Sequence, residues 1–95
     1  MNVQVENLEK NNDGFSYYIL GRSYDLAENG VETDYHKALY YYQKGFDIDY
    51  PLCIYSLGIS YEFGLDNVLM INKEKAKELL NSAYSKIIEL IDNTN

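Results

Sequence analysis

The chain has no tryptophan, and it has one cysteine, one histidine and one proline. A lone cysteine cannot close an internal disulfide, which excludes a stapled secreted scaffold and suits a reducing compartment. Positive charge is scarce. Eight Lys and Arg stand against fifteen Asp and Glu, a net charge of −7. Partners such as a nucleic-acid backbone or an anionic membrane require clustered positive charge, so both are excluded as expected partners. Lys73, Lys75 and Lys77 form a basic cluster, but steps of two spread them around a helix rather than along one stripe. Long apolar runs are missing as well. The run Val68 to Ile71 falls far short of the roughly 20 residues that span a bilayer. The start, MNVQVENLEKNN, has neither a basic n-region nor an apolar h-region, so no secretory signal is expected and the expected location is cytoplasmic.

What is present is a globular balance, 46% hydrophobic and 24% charged, with eleven tyrosines. Ninety-five residues bury too little surface for two independent cores, so one domain is expected. Within it the chain repeats itself. Leu20-Gly21-Arg22-Ser23-Tyr24 lies over Leu57-Gly58-Ile59-Ser60-Tyr61 at an offset of 37, with four of five positions identical. The same offset pairs Tyr18 with Tyr55 and Val31 with Val68. Lys37-Ala38 meets Lys75-Ala76 at offset 38, so the second copy carries one extra residue after Val68.

Each copy reads as two helices. Tyr17, Leu20, Gly21 and Tyr24 recur at i, i+3, i+4 and i+7, as do Ile54, Leu57, Gly58 and Tyr61. That spacing is one stripe of an α-helix. A mid-helix glycine costs roughly 1 kcal/mol of propensity. Its appearance twice at one place implies that another helix backbone crosses closely there. Ala38, Tyr41, Tyr42 and Gly45 continue the spacing in copy one, and Ala76, Leu79, Leu80, Ala83 and Ile87 in copy two. Asp34 and Asn72 stand where N-caps accept orphan backbone N–H groups. Asn29-Gly30 and Asp66-Asn67 supply turns. Pro51 suits a first helical turn, where its missing N–H costs nothing. The reading is helix at about 14–28, 35–47, 51–64 and 73–91, with the long last helix as a cap over the open end of the stack. Residues 1–12 read as a flexible N-terminal arm, with docking of Val3, Val5 and Leu8 as a short lid the alternative.

The motif L-G-x-x-Y, then G-V-x-x-D-x-x-K-A and an aromatic pair, resembles the Sel1-like repeat family of the tetratricopeptide-like α-solenoids. Leu20-Gly21, Tyr24, Gly30-Val31, Asp34, Lys37-Ala38 and Tyr41-Tyr42 carry the match in copy one. Leu57-Gly58, Tyr61, Val68, Asn72 and Lys75-Ala76 carry it in copy two, where Leu79-Leu80 replaces the aromatic pair. The resemblance implies an all-α fold: two helix-turn-helix repeats, about 14–47 and 51–91, stacked as a short right-handed α-solenoid within a domain of residues 13–95. It also implies a non-catalytic adaptor whose first helices line a concave face.

A second stripe on each first helix agrees with that implication. Phe15, Tyr18, Arg22 and Asp25 share one side of the first helix, and Leu52, Tyr55, Ile59 and Glu62 one side of the third. Side-by-side stacking makes these eight a mixed aromatic, apolar and charged trough for a peptide or helix of a protein partner. The plain alternative is that Tyr18 and Tyr55 pack against the next repeat. Two repeats also leave open ends, because a solenoid unit cannot bury its own face. A symmetric homodimer would cover the end around Phe15 and Tyr17.

Candidate chemistry is thin, and no enzyme, cofactor or metal is expected. His36 has Tyr40 rather than a ligand at i+4. Cys53 matches Ser16, a small buried position, and reads as an inert thiol. Glu32, Asp34, Asp47 and Asp49 lack the Gly-containing loop and closing Glu of a calcium site. A small acidic inhibitor that mimics nucleic acid is a further alternative. Residues 1–49 hold nine acids and four bases, and residues 50–95 six and four, an unevenness far milder than a phosphate-like ladder needs.

Overall fold

The computed structural model describes residues 3–93. They form five helices: α1 (Val3–Glu9), α2 (Gly14–Leu26), α3 (Tyr35–Asp47), α4 (Pro51–Phe63) and α5 (Lys73–Asn93). No strand occurs among the described residues; one isolated bridge joins Leu65 to Leu69 in the α4–α5 loop. Helices α2 to α5 pack each on the next, and α2 also touches α4. This is a helical repeat solenoid of two hairpins.

The ends of the helices follow from local chemistry. The side chains of Asp34 and Asn72 accept the N–H groups of Lys37 (3.1 Å) and Lys75 (3.0 Å), as their N-cap positions require. Asp13 does the same for Ser16 at 2.8 Å, a cap the repeat pattern does not reveal. Pro51 opens α4, where Tyr50 offers no side-chain cap. Helix α2 stops two residues before its expected end at 28 because Ala27 turns left-handed, at φ 55°, and returns its N–H to the Ser23 carbonyl.

The two hairpins repeat in their hydrogen bonds as well as in sequence. Asp34 N–H donates to the Tyr24 carbonyl at 2.9 Å, and Asn72 N–H to the Tyr61 carbonyl at 2.8 Å. Ser23 and Ser60 each return a hydroxyl to the carbonyl four residues back, Ile19 and Ser56. The extra residue of copy two falls in the α4–α5 loop, where Gly64 (φ 73°) and Asn67 (φ 59°) make the turns.

The core runs through both hairpins: Tyr17, Tyr24, Tyr42, Ile54, Leu57 and Leu79 around Ala38, Cys53 and Ala83. The paired glycines have a reason that differs from the expected one. A methyl on Gly21 would lie 2.5 Å from the Tyr42 ring, and one on Gly58 2.8 Å from Leu80 Cδ2. A side chain of the second helix, more than its backbone, fills the space. The Ala38 carbonyl, at 3.2 Å, is the nearest backbone atom at Gly21. Gly45 leaves the matching space for Cys53.

The N-terminal stretch is helical in this structure where an arm was the expectation. Helix α1 packs on α2 and seats Val5, 1% exposed. Residues 1 and 2 lie outside the described residues. Tyr17 is buried beneath Lys44, whose ammonium lies 5.6 Å from the ring centroid, so Phe15 alone of that pair faces solvent. At the other end α5 buries Ala76, Leu79 and Ala83. It has 21 residues against 13 in α4, about 12 Å more at 1.5 Å per residue. Its last turns leave Ile88, Leu90 and Ile91 more than half exposed.

Candidate functional site

Helices α2 and α4 present their second stripes to a shared groove. Tyr18, Arg22 and Asp25 enter from α2, and Tyr55 and Ile59 from α4. These are five of the eight residues expected there. Leu26, Ser56 and the hydroxyl end of Tyr42 complete the lining. The remaining three lie elsewhere. Phe15 is 57% exposed outside the groove, Leu52 is half-buried, and Glu62 is drawn away by Lys73, whose Nζ donates to its carboxylate at 2.9 Å and to its carbonyl at 3.2 Å.

The polar groups of the groove are ordered by hydrogen bonds. Arg22 donates through Nε to Glu28 Oε1 (2.9 Å), through Nη2 to Glu28 Oε2 (3.4 Å) and through Nη1 to the Tyr18 hydroxyl (3.3 Å). The hydrogen bond to Glu28 is the main cause that raises the guanidinium pKa further. The Tyr42 hydroxyl donates to Asp25 Oδ2 at 3.1 Å. Burial raises the Asp25 carboxyl above the ordinary carboxylate range, opposed by that hydrogen bond. Burial first, then the Asp25 charge, pushes Tyr42 well above the ordinary phenol range.

Three lining residues were missed by the stripe reading, each for its own reason. Leu26 follows Arg22 by four and belongs to the same face, so a wider stripe would have included it. Ser56 sits one step around from Tyr55. Tyr42 reads as core from its spacing, and it is core, at 2% exposed. Only the fold brings its oxygen to the floor of the groove.

The groove holds about 200 Å³, below the roughly 300–1,000 Å³ of pockets that enclose small molecules. It suits one or two side chains of a larger partner. Other chemistry does not assemble around it. Cys53 is fully buried, its thiol directed at the Gly14 carbonyl 3.9 Å away, and burial pushes it up to about 12. His36 is exposed on α3. Among the described residues no group of three or more His, Cys, Asp or Glu is placed to hold a metal ion. No helix among them is long and apolar enough to cross a membrane.

Comparison with known families agrees with the hairpins. The Sel1 repeat model matches residues 14–48 and again residues 51–86. Searches of curated proteins and of solved structures returned no match. The two matches fall on α2–α3 and α4–α5, the units that share sequence, caps and inter-helix hydrogen bonds. The chain belongs to the Sel1 repeat family.

Proposed function

We propose that the protein is a non-catalytic binding module that receives a peptide or helix of a partner protein in the groove between α2 and α4. Sel1 repeats generally mediate protein–protein interaction. The observation that carries the proposal to this groove is that five residues from two helices, expected from spacing alone, line one concavity. Tyrosine and arginine supply large contact area with a polar end, the chemistry that anchors interfaces. The groove's capacity for one or two side chains fits anchor recognition.

Affinity capture from the native source tests the reading. Tyr18 packs against the core, so its truncation would also loosen the fold; Tyr55 and Ile59 lie outside the core cluster. A Tyr55→Ala, Ile59→Ala double variant is therefore the control. Wild type should retain partners that this folded variant releases. Capture of the same proteins by both would remove the groove from the proposal.

Self-association is a second reading, favoured by Tyr84 and Ile88, which lie four residues apart on one face of α5 and stand 49% and 56% exposed. Exposed apolar patches of this kind mark interaction surfaces. Light scattering over a dilution series decides it, because a mass that stays monomeric at high concentration ends the reading.

A further inference from the structure

Three of the eight expected site residues besides the aromatics and aliphatics carry charge, and two of the three are neutralised within the chain. Arg22 is held by Glu28 at 2.9 Å, and Glu62 by Lys73 at 2.9 Å. Asp25 differs. Its Oδ2 accepts from the Tyr42 hydroxyl, and no cationic nitrogen among the described residues forms an ion pair with it. A carboxylate has about four acceptor sites, so one neutral donor leaves most of its capacity open. The walls beside it are Leu26, Tyr55 and Ile59. The groove therefore combines apolar sides with one half-buried carboxylate that lacks a counter-charge, in a chain of net charge −7.

We infer that the groove selects a partner segment presenting a single Lys or Arg side chain flanked by aliphatic residues. The inference rests on the proposed role of the groove as the partner site. The aliphatic stem of the cation lies along Leu26 and Ile59 while its head donates to Asp25, the division of labour that long basic side chains adopt on amphipathic surfaces. The charge-assisted hydrogen bond is stronger than a neutral one. Tyr42 holds the carboxylate in place from below, so the partner meets a fixed acceptor. An acidic side chain seated against Asp25 is repelled. Burial raises the Asp25 pKa, the effect a buried carboxylate shows without a cation, and an arriving cation reverses it.

Four acetylated and amidated heptapeptides test this, identical except for a central arginine, lysine, norleucine or glutamate between leucines. Each is titrated into the isotope-labelled full chain and followed by NMR. The arginine and lysine peptides should move the amides of Tyr18, Asp25, Tyr55 and Ile59, and bind about ten-fold or more tightly than the norleucine peptide. Asp25→Asn keeps an acceptor for Tyr42 and should remove that preference. A norleucine or glutamate peptide that binds as tightly as the arginine peptide overturns the cation assignment and leaves the groove as partner site. An undiminished preference in Asp25→Asn does the same. Absence of binding by the cationic peptides also overturns the assignment, and shifts confined to another face overturn the groove reading with it.

Discussion

At the scale of single residues, the glycines of the two stripes are not equivalent. A methyl on Gly21 meets Tyr42 ring carbons at 2.5 Å, in a ring wedged among core side chains and held by Asp25. A methyl on Gly58 meets the end of Leu80, a flexible and half-buried side chain, at 2.8 Å. Alanine gains about 1 kcal/mol of helix propensity at either site, against an overpacking cost of about 1–3 kcal/mol. Gly21→Ala should therefore destabilise in urea unfolding, and Gly58→Ala should do so by less. Equal losses would contradict the distinction between ring and chain end. Spacing alone marks both glycines but does not say what fills the gap, because the filler comes from another helix.

Cys53 makes a second prediction at this scale. Burial pushes its thiol up to about 12. The native protein should resist Ellman's reagent at pH 8 and react once denatured. The folded state keeps a proton that the unfolded state loses near pH 9. Its contribution to stability is thus complete below about pH 9 and is lost as pH rises toward 12. Tyr41, also raised to about 12 chiefly by burial, acts in the same direction at somewhat higher pH. Melting temperatures measured from pH 8 to 11 should fall; a rise would show that another group dominates. That Cys53 is a buried thiol is legible from its match to Ser16, since a repeat reuses its small positions.

At the scale of elements, caps and turns define where the helices begin and end. Asp34→Ala and Asn72→Ala should each cost about 1 kcal/mol in chemical denaturation, because each removes an acceptor from an orphan N–H. The two losses should be alike, since both sites close the same hairpin in different copies. A much larger loss at one of them would show that its side chain does more than cap. Helices α2 to α5 were legible because their apolar spacing, Pro51 and turn residues are local signals. Helix α1 was not. Residues 3–9 carry no repeat motif, and a seven-residue helix is too short to be stable without its packing on α2. The decisive fact about it, the burial of Val5, is tertiary.

At the scale of the whole molecule, excess negative charge opposes compaction. Ion pairs among the described residues are few and exposed: Arg22–Glu28, Lys73–Glu62 and Lys86–Asp49. Such pairs add little each, while a net charge of −7 in 95 residues repels itself throughout the fold. Raising salt from about 10 mM to about 300 mM shortens the screening length from about 30 Å to below 8 Å. The melting temperature should rise across that range. A fall would mean that the attractive pairs outweigh the net repulsion.

The amino-acid sequence by itself determined the duplicated hairpins, the limits of α2 to α5 to within two residues and the faces that Tyr18 and Tyr55 share. These are properties of spacing along one chain, and the periods of helix and repeat express them directly. Tertiary structure alone decided which charges of the two stripes remain open. Arg22 finds Glu28 around the end of its own helix, Glu62 finds Lys73 across a loop, and Asp25, among the described residues, finds only the hydroxyl of Tyr42. Those pairings depend on how the loops bring side chains within about 3 Å of one another, a distance that no one-dimensional pattern contains.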